Sequence, residues 1–252
     1  KGWNVRVLAR ASSNFLGLKK IGAEIVTGDI RNANAVERAV QGADVVFHIA
    51  ACFREAKLAD SVYEEINVGG TRNVLEACLK YGVRRIVHCS TIGVHGDVAS
   101  IPANEDSPFN PGDIYQETKL NGELLAVSYF EERDAPVVII RPCGIYGPGD
   151  MRFLKLFRAI ARKKFVLIGD GETLWHSVYI EDLVSGFILA GKKEGILGKV
   201  FIIGGKNYLT LNELVSKIAF ALGVPAPKRH IPAAPVYAVE MICERLFRPL
   251  GL

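Results

Sequence analysis

No apolar run in this sequence approaches the roughly 18 residues of a membrane span, and no stretch reads as a signal peptide or an internal repeat. A soluble, non-solenoid protein is expected. Dense positive charge is also missing. The formal net charge of +4 comes from scattered lysines and arginines, with Arg162-Lys163-Lys164 the tightest group. That leaves no stripe for a nucleic-acid backbone and points to a small-molecule ligand. Cysteine is sparse and odd in number: Cys52, Cys78, Cys89, Cys143 and Cys243 show neither metal-ligand nor redox spacing. They read as reduced core thiols of a cytoplasmic protein with no metal site.

The chain does have apolar content. Its 252 residues are 49% hydrophobic with 25 glycines, enough to bury a core as one large domain or one and a half. Strand-like runs over 5–9, 23–30, 43–51, 86–91, 136–142 and 200–203 alternate with helical spacing such as Ala35, Val36, Ala39, Val40 and Val74, Leu75, Cys78. The expected class is α/β, a Rossmann-like doubly wound parallel sheet. Residues 1–150 read as a dinucleotide-binding domain. From Met151 the alternation becomes irregular, so 151–252 reads as a mainly substrate-binding region interleaved with the first. Helices are expected over 211–222, capped by Thr210 or Asn212, and over 236–247, the latter packing on the core rather than on a membrane surface.

Tyr115-Gln116-Glu117-Thr118-Lys119 places a phenol and an ammonium one helical turn apart on one face. A cation beneath the Tyr115 hydroxyl is expected to lower its pKa. The strand before it ends in Ser90-Thr91, where the carboxyl edge of a parallel sheet carries its catalytic groups. A hydroxyl, a phenol and a lysine suit proton transfer at a substrate alcohol or carbonyl, with hydride supplied by a cofactor. The proline-bearing loop over 97–113 is expected to enclose substrate.

Other positions face the same edge. Arg10, after the strand over 5–9, stands where a dinucleotide fold meets the adenosine ribose, and with Ser12 and Ser13 it offers donors to the 2′-phosphate of NADP. Stacking on adenine or plain solvation of Arg10 would leave NAD possible. Asp29 could accept from the adenine amino group or cap a helix. Ala50 and Ala51 are small enough for a cofactor to approach the backbone. Asn67 is either structural or part of the site, and His48 reads as a satisfied core histidine. Turn residues over 143–150 again suit ligand approach.

Gly28-Asp29-Ile30, Asp44 through Ala51, Asn67-Val68-Gly69-Gly70-Thr71, Ser90-Thr91 through Gly96, Tyr115 through Lys119 and Arg141-Pro142 through Gly147-Pro148-Gly149 together resemble the extended short-chain dehydrogenase/reductase family over nearly the whole chain. The resemblance implies that Tyr115 is the acid/base, that Lys119 holds the ribose, and that Thr91 hydrogen-bonds the substrate oxygen. It places Asp29 and Ile30 at adenine, Ile49, Ala50 and Ala51 on the pyrophosphate side, and Pro142, Cys143, Gly144 and Ile145 at the nicotinamide. Asn67 and Ser90 join these cofactor contacts, and a homodimer is implied. The family opens with a strand and a glycine-rich pyrophosphate turn, which no residue before Val5 supplies. A strand and such a turn are therefore expected ahead of Lys1, since loss of the first central strand would expose a sheet edge.

Sugar-nucleotide members carry an arginine where this sequence has Trp175. An indole cannot replace a guanidinium at phosphate, and Trp175-His176 is similar to the dihydroflavonol-reductase-like and 3β-hydroxysteroid-dehydrogenase-like branches. The leading expectation is an NADP-preferring oxidoreductase acting on a hydrophobic or polycyclic alcohol or ketone. A nucleotide-sugar epimerase/dehydratase with retained NAD and a noncatalytic cofactor-binding protein of the same fold are the alternatives.

Overall fold

The computed structural model describes residues 2–55 and 58–236. Cys243, and the helix expected over 236–247 except for its first residue, lie outside them. Along the chain, β1 (Arg6–Ala9), α1 (Leu16–Lys20), β2 (Glu24–Thr27), α2 (Ala33–Val40), β3 (Val45–His48), α3 (Asp60–Glu64), α4 (Gly70–Lys80), β4 (Arg85–Cys89), α5 (Ile114–Arg133) and β5 (Val137–Pro142) alternate strand with helix. Then come β6 (Gly144–Tyr146), α6 (Met151–Ala161), β7 (Leu167–Ile168), β8 (Leu174–Trp175), β9 (Ser177–Tyr179), α7 (Ile180–Lys192), β10 (Val200–Ile203), β11 (Leu209–Thr210), α8 (Leu211–Ala221) and β12 (His230–Ile231).

The chain divides into two compact units. One comprises the residues up to Pro142 together with Val184–Ile203, and the other comprises Cys143–Leu183 together with the chain from Gly204 onward.

In the first unit β1 pairs with β2, and β3, β4, β5 and β10 form a sheet in the order β10-β5-β4-β3, every pair parallel. All six residues of β5 are buried, as a central parallel strand requires, and this is why it reads as a continuous apolar run. Parallel pairing sends the carboxyl ends of β3, β4 and β5 to one edge, which positions the site.

Val36, Leu75, Cys78, Ile86, Ala126 and Ile139 form the core between this sheet and α2, α4 and α5. Each fully buried aliphatic side chain contributes roughly 1.5–3 kcal/mol. Exposed ion pairs such as Lys80–Glu37 and Arg133–Glu76 contribute at most about 1 kcal/mol each. The apolar layer, not the surface charge, holds the helices on the sheet.

The caps follow local chemistry. Asn32, and not Asp29, caps α2 by accepting from Ala35 N, so the capping alternative for Asp29 fails. Asp113 caps α5 through Gln116 N, and Thr210 with Glu213 forms a reciprocal capping box on α8. A π-helical turn over Glu65–Gly69 joins α3 to α4 and carries Asn67. The widened turn meets α5 at Gly122, where a Cβ would come within 2.6 Å of the Asn67 carbonyl oxygen.

The second unit is built on Ile160, Leu167, Val215, Ile218 and Ala219, with β6 parallel to β9, β7 parallel to β12 and β8 antiparallel to β11. Among the described residues no helix is long and apolar enough to cross a membrane, and no group of His, Cys, Asp and Glu could hold a metal ion.

Candidate active site

The end of β4 brings a hydroxyl, a phenol and an ammonium together. Thr91 leaves the strand with extended backbone and caps the short turn Ile92–His95, its hydroxyl accepting from Gly93 N at 3.1 Å. The same hydroxyl is near enough to Tyr115 to favour its phenolate. One turn along α5, the buried Lys119 donates from Nζ to the Cys89 carbonyl at 2.5 Å. Ser90 is buried, and among the described residues its Oγ has no hydrogen-bond partner. Of the two neighbouring hydroxyls, Thr91 is the one that acts on the phenol.

The expected fall in the Tyr115 pKa does not occur. Burial pushes the phenol up to about 12, with Cys89 adding to the rise, while the Thr91 hydrogen bond and the Arg54 charge oppose it. The reason is geometric. Lys119 faces the Cys89 carbonyl, and burial lowers its own pKa, with Cys89 and Glu123 opposing. A cation stabilises a phenolate only when it faces it, and desolvation wins otherwise.

The remaining expected contacts lie elsewhere in the chain. Arg10 follows β1, and its charge helps to lower the pKa of Asp29, although the Arg31 side-chain hydrogen bond is the largest cause. Asp29 Oδ1 and Oδ2 accept from Arg31 Nε and NH2, both at 3.0 Å, so its carboxylate already has a partner. Ile30 packs under Gly70, and its carbonyl accepts from Asn73 Nδ2. Ile49, Ala50 and Ala51 form an exposed strip after β3. Asn67 is buried and spends its amide on Cys52 N, Cys52 O and Thr118 Oγ1, clamping the loop after β3 to α5. His48 is paired with Thr71 Oγ1 at 2.8 Å, and burial holds it near 3, neutral, in the core.

Pro142 ends β5 in the first unit. Cys143, Gly144 and Ile145 belong to the second, where Gly144 N donates to His176 O and burial pushes the Cys143 thiol up to about 11.

Two features escaped the sequence reading. Arg54 holds Asp113 at 2.6 Å and lies over the rings of Phe53 and Tyr115. Arg141 reaches Glu123 with Nε and NH2, and with NH1 it reaches His95 Nε2 at 3.0 Å and Glu105 O at 2.7 Å. His95 Nδ1 lies 3.1 Å from Pro108 O. A carbonyl only accepts, so Nδ1 carries the proton and Nε2 accepts from Arg141. The 97–113 loop is thereby tied to β5 and α5. A signal for Glu123 was present: Tyr115, Lys119 and Glu123 recur at every fourth residue, a polar stripe that continues past the motif. Nothing local marked Arg54.

These residues fit a dinucleotide. Arg10 after β1, the Ile49–Ala51 strip after β3, and Ser90 Oγ and Lys119 at the end of β4 supply cationic, small and hydroxyl groups at the carboxyl ends of parallel strands, as ligands of such sheets require.

The NAD dependent epimerase/dehydratase family matches residues 1–204. The chain is 31% identical to the 3beta-hydroxysteroid-dehydrogenase/decarboxylase isoform 1 of Arabidopsis thaliana over 90% of its own length and 55% of that protein. It thus spans about half of this plant relative. It is 30% identical to the 2-alkyl-3-oxoalkanoate reductase of Stenotrophomonas maltophilia, covering 98% of the chain and 77% of the relative. The solved UDP-glucuronic acid 4-epimerase of Bacillus cereus, in complex with NAD, superposes with a TM-score of 0.80 at 28% identity, over 92% of this chain and 80% of that one.

Proposed function

Because the chain belongs to the NAD dependent epimerase/dehydratase family, we propose that it is an NAD(P)-dependent oxidoreductase interconverting a secondary alcohol and a ketone on a hydrophobic small molecule. The observation that carries this reading is the grouping of Thr91, Tyr115 and the buried Lys119 at the end of β4, with Lys119 on the Cys89 carbonyl and the Thr91 hydroxyl acting on the phenol. Tyr115 is the acid/base, Thr91 orients the substrate oxygen, and Lys119 holds the cofactor ribose. When bound, the cofactor supplies or accepts the hydride. A phenol held protonated at neutral pH suits donation to a ketone oxygen, the direction of reduction. Arg10, Asp29 and Ile30 take the adenosine, Ile49–Ala51 the pyrophosphate, and Pro142 the nicotinamide side.

An apolar substrate is supported by Trp175, which meets Phe153 edge-on at 6.0 Å. The names of the plant and Stenotrophomonas relatives, a hydroxysteroid dehydrogenase and an oxoalkanoate reductase, point the same way. The Bacillus neighbour favours the second reading, a nucleotide-sugar epimerase that keeps its NAD. Net cofactor turnover separates the two. With hydrophobic ketones the protein is expected to oxidise NADPH stoichiometrically. Epimerisation of a UDP-sugar with no net change in cofactor would overturn the oxidoreductase.

The reading extends to NADP preference, to a cytoplasmic location suited to the free thiols Cys52, Cys78, Cys89 and Cys143, and to a homodimer through α5, on which Leu124 is 46% exposed. Arg10→Asp is expected to remove a charge-assisted contact and shift the NADP/NAD affinity ratio toward NAD by roughly tenfold or more. Calorimetric affinities that are equal for the two cofactors and unmoved by the substitution would sink the assignment.

A further inference from the structure

The short turn Ile92–His95 is capped at its start by Thr91 and ends on His95. His95 is 3% exposed, and both of its ring nitrogens are engaged. Nδ1 donates to Pro108 O at 3.1 Å, and Nε2 accepts from Arg141 NH1 at 3.0 Å. The ring stacks on Phe109 at 5.8 Å, and the Arg141 guanidinium carbon lies 5.1 Å from the centroid of that same phenyl ring. An imidazole gripped at both nitrogens and on one face has a single orientation, because turning it would leave buried polar groups unpaired.

Arg141 is fixed in its turn by Glu123, which stands on α5 one helical turn beyond Lys119 and two beyond Tyr115. The contacts close a ring. α5 carries Tyr115 and Glu123, Glu123 holds Arg141 on β5, Arg141 holds His95, and His95 ends the turn that Thr91 opens. That turn comes back against α5 at Gly93, where a Cβ would stand 3.1 Å from Gln116 Cγ. Its own backbone bonds are few, Val94 N to Thr91 O at 3.4 Å and Gly96 N to Gly93 O at 3.0 Å, as in any short 3₁₀ segment. Where the turn sits therefore depends on what grips its far end.

We propose that His95 is a positioning residue for the proton-transfer step: by accepting the Arg141 hydrogen bond on Nε2 it fixes the turn that carries Thr91, and so sets where the Thr91 hydroxyl stands beside Tyr115. The Arg141 contact does this, because it ties the turn to the same helix that carries the phenol. The Pro108 contact steadies the 97–113 loop instead. His95 acts through Thr91 and not on the substrate. A misplacement of about 1 Å at a reacting group can cost roughly 10²-fold, so a residue in this position has leverage on kcat. The inference rests on the oxidoreductase reading above and on the roles it gives Thr91 and Tyr115.

The test is a double-mutant cycle in the intact protein, with NADPH and a long-chain methyl ketone, in which kcat is expressed per cofactor site counted by titration so that unfolded chains drop out. His95→Asn keeps a donor near Pro108 O but is too short to reach Arg141, and it is expected to lower kcat by roughly tenfold to hundredfold with cofactor affinity unchanged. His95→Gln, whose Oε1 reaches further and can accept from Arg141, should recover most of that loss. In a Thr91→Ala background the Asn substitution should cost no more than about twofold, since two residues acting on one step do not add. A purely structural role would multiply the two losses in full. That result, or a Gln variant as slow as the Asn variant, or an Asn variant with unchanged kcat, overturns the inference while Thr91 and Tyr115 keep their roles. Thr91→Ala with unchanged kcat overturns the role of Thr91, no turnover of the ketone overturns the oxidoreductase reading, and in either case the inference falls with it.

Discussion

Tyr115→Phe should lower kcat by about 10²- to 10⁴-fold, the usual worth of a general acid, while the affinity for the cofactor stays within a few-fold. The substitution removes one oxygen from a ring that keeps its edge contact with Phe53. Thr91 retains its bond from Gly93 N, so the turn after β4 keeps its cap, and Lys119 is anchored on Cys89 rather than on the phenol. Only the proton route is lost. Steady-state kinetics beside a cofactor titration of the same folded variant checks this. A tenfold loss or less at normal cofactor affinity would mean that another group carries the proton.

Glu123→Gln should cost about 3–5 kcal/mol of stability, because it leaves the Arg141 guanidinium buried without its counter-charge. Arg141 and Glu123 are 2% and 1% exposed, so water cannot take over. The damage should spread along the same network. Arg141 also holds Glu105 O and His95, and Glu105 Oε1 accepts from Ile202 N on β10, so the 97–113 loop should loosen with the pair. Denaturant unfolding of the variant and of the double variant Glu123→Leu/Arg141→Met makes the comparison, since apolar replacement of both partners is expected to recover much of the loss. A single-variant cost below about 1 kcal/mol, the level of an exposed pair, would show that the pair is hydrated in solution.

The alternation of apolar runs and helical spacing determined the α/β class and the parallel order, because burial on both faces imposes a local pattern that neighbouring residues report together. β5, expected over 136–142, occupies Val137–Pro142, and α5 begins at Ile114, directly after the loop. That Tyr115 and Lys119 share a helix face near Ser90 and Thr91 was equally legible, since the helical repeat and the strand end are local properties. What the ammonium faces was not legible.

Lys119 turns to the Cys89 carbonyl, and the phenol titrates upward rather than downward, because a pKa depends on distances and desolvation summed over residues far apart in sequence. The same holds for Arg141, whose partners come from α5, the turn after β4 and the 97–113 loop. It holds again for Arg54, whose positive φ and position over Tyr115 no neighbouring residue announces. Sequence periodicity determined which residues line the edge of the sheet. The tertiary structure alone decided their partners and charge states, since electrostatic and hydrogen-bond energies act through space and not along the chain.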